Sequence, residues 1–110
     1  MRCKYEIWQL KSYQDCEEAA FERFESIRGL AAIGKAPNRD HYEQVYFGEA
    51  EIGENIEEFL DAVFETFNIN RPKDFQGHSL SVSDVVAVRQ GEVVQYYFVD
   101  SFGFQRIWQN

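Results

Sequence analysis

Residues 54–67, ENIEEFLDAVFETF, constrain the fold more than any other stretch of the chain. With residues about 100° apart around a helix axis, Ile56, Phe59, Leu60, Val63, Phe64 and Phe67 share one side. Glu54, Glu57, Glu58, Asp61 and Glu65 fall opposite. A helix with so wide an apolar stripe is stable only when the stripe lies on another layer, here a sheet. The early acids suit the positive end of the helix dipole. Asn68 and Asn70 tolerate left-handed backbone, and Pro72 prevents continuation.

The strand signals surround that helix. Residues 4–10, KYEIWQL, alternate with period two: Tyr5, Ile7 and Gln9 share one side, and Glu6, Trp8 and Leu10 the other. Residues 41–47, HYEQVYF, are rich in strand-forming side chains, with Gly48 and Gly53 expected to bracket a turn. VVAVRQ at 85–90 and VVQYYFVD at 93–100 flank Gly91-Glu92, a tight hairpin. Both runs are apolar on both faces, which places the hairpin near the sheet centre. Residues 104–108 offer a last strand. Residues 15–34 admit two readings: one helix from Asp15, or a strand, AAFERF, followed by a short helix capped by Ser26 and ended by Gly34. The second is preferred, partly on the resemblance given below. The expected architecture is a single α+β domain over 1–110. It has a mixed, mostly antiparallel sheet of four to five strands, helix 54–67 on one face and a second short helix.

Composition narrows the function classes. A chain of 110 residues holds one core rather than two. No apolar run approaches the roughly 20 residues of a membrane span. The N-terminal MRCKYEIWQLK lacks the continuous apolar segment of a secretory leader, so the expected location is cytoplasmic. Cys3 and Cys16 are expected to be free thiols. Cys3, Cys16, His41 and His78 lack metal-ligand spacing, so neither metal nor cofactor is expected. The net charge of −8 argues against direct nucleic-acid binding. Nine acids and no Lys or Arg lie between Asp40 and Asn70, which demands one strongly negative face.

Two groups of residues invite a functional reading. His78, Ser81, Ser83, Asp84 and Asp100 are the weak catalytic candidates. His78 could serve as base, a serine as nucleophile and an aspartate as orienter. No GxSxG elbow accompanies them, and a hydrogen-bonded turn at Ser83-Asp84 explains the same residues. Asp100-Ser101-Phe102-Gly103 likewise reads as turn chemistry. The second group is the acidic stripe Glu54, Glu58, Asp61 and Glu65, either a solvated face or a docking surface for a protein partner with a basic surface.

Four segments carry a family resemblance: YEIWQLK at 5–11, HYEQVYFGE at 41–49, FNINRPKDFQGHSLSVSDVV at 67–86 and VVQYYFVDSFGF at 93–104. With these the chain resembles the YodL-like family of small bacterial and phage domains. The resemblance implies a role on a mobile genetic element, phage or conjugative, and no established catalytic residues. It directs positional interest to Gly77, His78, Ser81, Ser83, Asp84, Asp100, Gly103 and Phe104. The preferred expectation is therefore a non-enzymatic interaction module. The alternative is a small hydrolase or nucleic-acid-processing enzyme built on the His78 cluster. A third reading, a structural module folding beside other domains, predicts an exposed aromatic patch that pairs two copies as a homodimer.

Overall fold

In the computed structural model, which describes residues 2–109, the chain forms a five-stranded sheet in the order β2-β1-β3-β4-β5. The strands are β1 (Arg2–Leu10), β2 (Tyr42–Glu51), β3 (Val85–Gln90), β4 (Val93–Val99) and β5 (Phe104–Ile107). Helices α1 (Glu17–Ala20) and α2 (Ile27–Ala32) and a 3-10 turn (Arg39–His41) fill the β1–β2 connection, and α3 (Ile56–Ile69) follows β2. The α+β class holds. Every strand pairing is antiparallel, so the sheet is not mixed.

The sheet separates two apolar layers. Tyr5, Ile7, Val86, Val88, Tyr97 and Val99 face α3 and meet Phe59, Leu60, Val63 and Phe67. Those four helix residues are buried, as the periodicity requires, with Ile56 and Phe64 packed at the margin. On the opposite face Leu10, Tyr42, Val85 and Phe98 meet Ala19 of α1 and Leu30 of α2. Helix α3 begins two residues later than the periodicity suggests because Asn55 caps it, its Oδ1 accepting from the Glu57 and Glu58 amides at 2.9 and 3.2 Å. Asn55→Ala should cost about 1 kcal/mol of unfolding free energy in a urea titration. An unchanged midpoint would show that solvent satisfies those amides equally well.

Two expectations need correction. The strand AAFERF does not form, and neither does one continuous helix from Asp15. Helix α1 stops at Ala20, Phe24 takes a left-handed φ of 68°, and α2 restarts with Ser26 Oγ accepting from the Gly29 amide. The break turns Glu22 inward, where its Oε1 meets His41 Nδ1 at 2.9 Å, and leaves Phe21 and Phe24 exposed. The proposed turn at Gly48 is also absent, because β2 runs on to Glu51. Gly48 sits opposite Tyr5, and a Cβ there would stand 2.8 Å from the Tyr5 ring. The missing side chain admits that ring to the core. Among the described residues no helix is long and apolar enough to cross a membrane.

Candidate functional site

Gln9 organises a buried polar cluster. It lies on the core-facing side of β1 with Tyr5 and Ile7, yet it is polar and only 2% exposed. A buried amide must find partners, and the segment after α3 supplies them. Gln9 Oε1 accepts from the His78 amide at 3.2 Å. Its Nε2 donates to the His78 carbonyl at 2.8 Å and to Asp84 Oδ2 at 3.2 Å. Gly77 makes the approach possible: a Cβ there would lie 2.4 Å from Gln9 Oε1 and 2.8 Å from the Phe75 ring.

Asp84 is the buried acid of the cluster, 1% exposed. Its Oδ2 also accepts from the Ser81 amide at 2.9 Å, while its own amide donates to the Ser81 carbonyl at 3.0 Å, which closes a side-chain-supported turn. The Asp84 carbonyl accepts from the Val99 amide, and the Ser83 amide donates to the Val99 carbonyl, tying this turn to the end of β4. Burial pushes the Asp84 carboxyl up to about 7, against the opposing pull of the Ser81 and Gln9 hydrogen bonds. His78 Nδ1 stands 3.9 Å from Asp84 Oδ2 but hydrogen-bonds to the Ser79 carbonyl at 2.8 Å. A carbonyl only accepts, so this contact suits a proton on Nδ1, although the Gln9 Nε2 donor also stands 3.3 Å from that nitrogen.

The other candidates are engaged elsewhere. Ser83 has a left-handed φ of 89°, and its Oγ accepts from the amide of Phe24, itself left-handed. Its carbonyl accepts from the Tyr42 hydroxyl. Burial, with the negative charge of Asp84 and Glu22 nearby, pushes Tyr42 far above the ordinary phenol range, so it remains a donor. Asp100 Oδ1 accepts from the Ile27 amide at 3.3 Å and the Ser101 amide at 2.8 Å, joining the start of α2 to the β4–β5 turn.

The structure therefore brings together His78, Ser81 and Asp84 around Gln9. Ser83 and Asp100 bind the α1–α2 segment. Among the described residues no serine hydroxyl hydrogen-bonds to His78, and no ion pair or hydrogen bond joins Asp100 to His78 or Asp84. Ser81 Oγ and His78 Nε2 are buried and without partners. Ser81 Oγ lies beside Asp84 but outside hydrogen-bonding geometry. Chemically, the arrangement anchors the 70–84 segment to β1 and orients a turn. It holds no preformed nucleophile–base pair. Gln9 was missed in the sequence, although its place on an apolar strand face was a usable signal.

The acidic stripe lies on the far side of α3. Glu58, Asp61 and Glu65 are exposed on the helix, and Glu54 is exposed just before the Asn55 cap. Among the described residues no cation lies within 4 Å of any of the four carboxylates. No group of three or more His, Cys, Asp or Glu is placed to hold a metal ion among the described residues.

A family model described as YodL-like domain matches residues 4–109. No curated protein and no solved structure matches the chain.

Proposed function

The chain belongs to the YodL-like domain family, and from that premise we propose that it is a non-enzymatic protein-interaction module that works in the cytoplasm and docks a basic partner on the outer face of α3. One observation carries this reading: Glu58, Asp61 and Glu65 on α3, and Glu54 just before its cap, are exposed with no compensating cation among the described residues. Like charges three or four residues apart on a helix repel, each pair costing a few tenths of a kcal/mol. A basic partner surface would convert that repulsion into attraction and speed the encounter. The setting on a mobile genetic element rests on the family resemblance.

The test is capture from lysate at several salt concentrations. It compares wild type, the four-site Lys variant of α3, and a charge-matched variant reversed at Glu43, Glu49, Glu51 and Glu92. A partner held by wild type and by the matched control, but lost with the α3 variant and with rising salt, supports the proposal. Equal retention by both variants overturns it.

A rival reading, a small hydrolase, draws on the unpaired His78 Nε2 and Ser81 Oγ beside Asp84. It requires those two atoms to reach hydrogen-bonding range on substrate binding. A folded His78→Ala variant that keeps full partner capture would separate the two readings.

A further inference from the structure

The strongest unassigned feature lies at the other end of the sheet, where a cleft of about 350 Å3 is lined by Arg39, Glu92, Tyr96, Arg106 and Trp108 among others. The chain builds the corner of this cleft at some cost. Trp108 adopts a left-handed φ of 53°, which a bulky side chain rarely takes. That backbone turns its ring back over the sheet. The indole Nε1 donates to the Pro37 carbonyl at 2.9 Å, and the ring meets Tyr42 and Tyr96 edge-on, each with centroids 5.3 Å apart. The 3-10 turn then lays the Arg39 guanidinium over both rings, 4.7 Å from the Tyr96 centroid and 5.2 Å from that of Trp108.

Stacking occupies the face of a guanidinium and leaves its N–H edge free. Among the described residues Arg39 has no carboxylate within 4 Å. A preorganised, unpaired fork at the wall of a cleft suits a planar two-oxygen acceptor. The charges set the valence. Of the charged lining residues, Arg39 and Glu92 are opposite in sign, while Arg106 pairs with Tyr97 on the α3 face of the sheet. One carboxylate matches the Arg39 fork, whereas a second negative charge would meet Glu92 with no cation of its own. Val94 and Ile107 line the same cleft and offer apolar contact to the rest of the ligand. The volume lies within the range of small-molecule sites.

We propose that this cleft binds a small molecule bearing a single carboxylate, which pairs with the stacked Arg39 guanidinium while its apolar body lies against Val94 and Ile107. The site is separate from the α3 face and stands whether or not that face docks a partner.

The experiment is a titration of the 15N-labelled full chain, followed by NMR at the Arg39 Nε–H and the Trp108 indole N–H. The probes are benzoate, neutral benzamide and inorganic phosphate. Benzoate should shift both signals saturably, benzamide should not, and phosphate should bind about tenfold more weakly. Arg39→Lys keeps the charge and loses the fork, so benzoate affinity should fall about tenfold while core resonances stay in place. Glu92→Gln should strengthen phosphate binding. The proposal is overturned by any of three results: no saturable shift, equal shifts from benzoate and benzamide, or equal affinity in Arg39→Lys. Phosphate binding as tightly as benzoate would overturn the assignment to a carboxylate. The wild-type comparison of benzoate with benzamide decides the matter even if the Arg39 variant fails to fold.

Discussion

Replacing Phe67 with alanine should destabilise the protein by about 3–5 kcal/mol, the usual range for deleting a fully buried aromatic ring. Phe67 is 0% exposed and sits at the centre of an aromatic cluster. Its ring meets Phe75 at 4.9 Å, Tyr46 at 5.0 Å and Tyr5 at 6.2 Å, all edge-on. These contacts join α3 to β1, to β2 and to the segment after the helix. The cavity would open where three layers of chain converge, and the rings around it are too rigid to collapse into it. A domain of this kind holds about 5–15 kcal/mol in total, so the loss should show as a large fall in urea midpoint. Phe102 provides the contrast. It is 96% exposed, and its alanine variant should stay within about 0.5 kcal/mol of wild type. Similar losses for both would mean that burial does not govern stability here.

The second large effect is a pH dependence centred on Asp84. Burial raises its folded-state carboxyl to about 7 from an ordinary value of 3.8. Between those values the folded protein holds a proton that the unfolded chain releases. Stability from this group is therefore fully present below about 4 and declines as pH rises through about 7. Asp84→Asn cannot titrate. The stability difference, variant minus wild type, should shift towards the variant by on the order of 2 kcal/mol between pH 5 and pH 8. Urea titrations of both proteins at each pH measure it, and contributions from groups remote from Asp84 cancel. The groups that interact with it are His78, Arg23 and Tyr42. Parallel pH profiles would show that Asp84 stays ionised throughout, its charge held by the Ser81 amide and Gln9.

The readable parts of this fold are those in which one segment supplies its own pattern. The phase of α3 follows from Ile56 to Phe67, and the Val85–Val99 hairpin follows from two apolar runs about a Gly-Glu turn. The 15–34 segment lacked such a pattern because distant partners decide its shape. Phe24 turns left-handed where its amide meets Ser83 Oγ, and Glu22 turns inward to His41. Neither contact has a local signature. Gln9 lay between these cases. An amide on the face shared by Tyr5 and Ile7 implied a buried acceptor, while the identity of that acceptor, His78 and Asp84, depended on how the 70–84 segment returns. Arg39 gave no signal at all. A single arginine in a loop becomes distinctive only once Trp108 and Tyr96 lie beneath it.

The strand order also sets a schedule for folding. Strand β1 is flanked by β2 and β3, so Tyr5 lies opposite both Gly48 and Val88. The first pairing can form early in synthesis. The second must wait until the ribosome has delivered residues 85–90. Until then β1 presents a bare edge, and the α3 stripe has only part of its platform. Such long-range pairing slows folding, and the waiting intermediate exposes apolar surface. The nascent chain should thus be most vulnerable to aggregation and proteolysis just before the β3–β4 hairpin emerges.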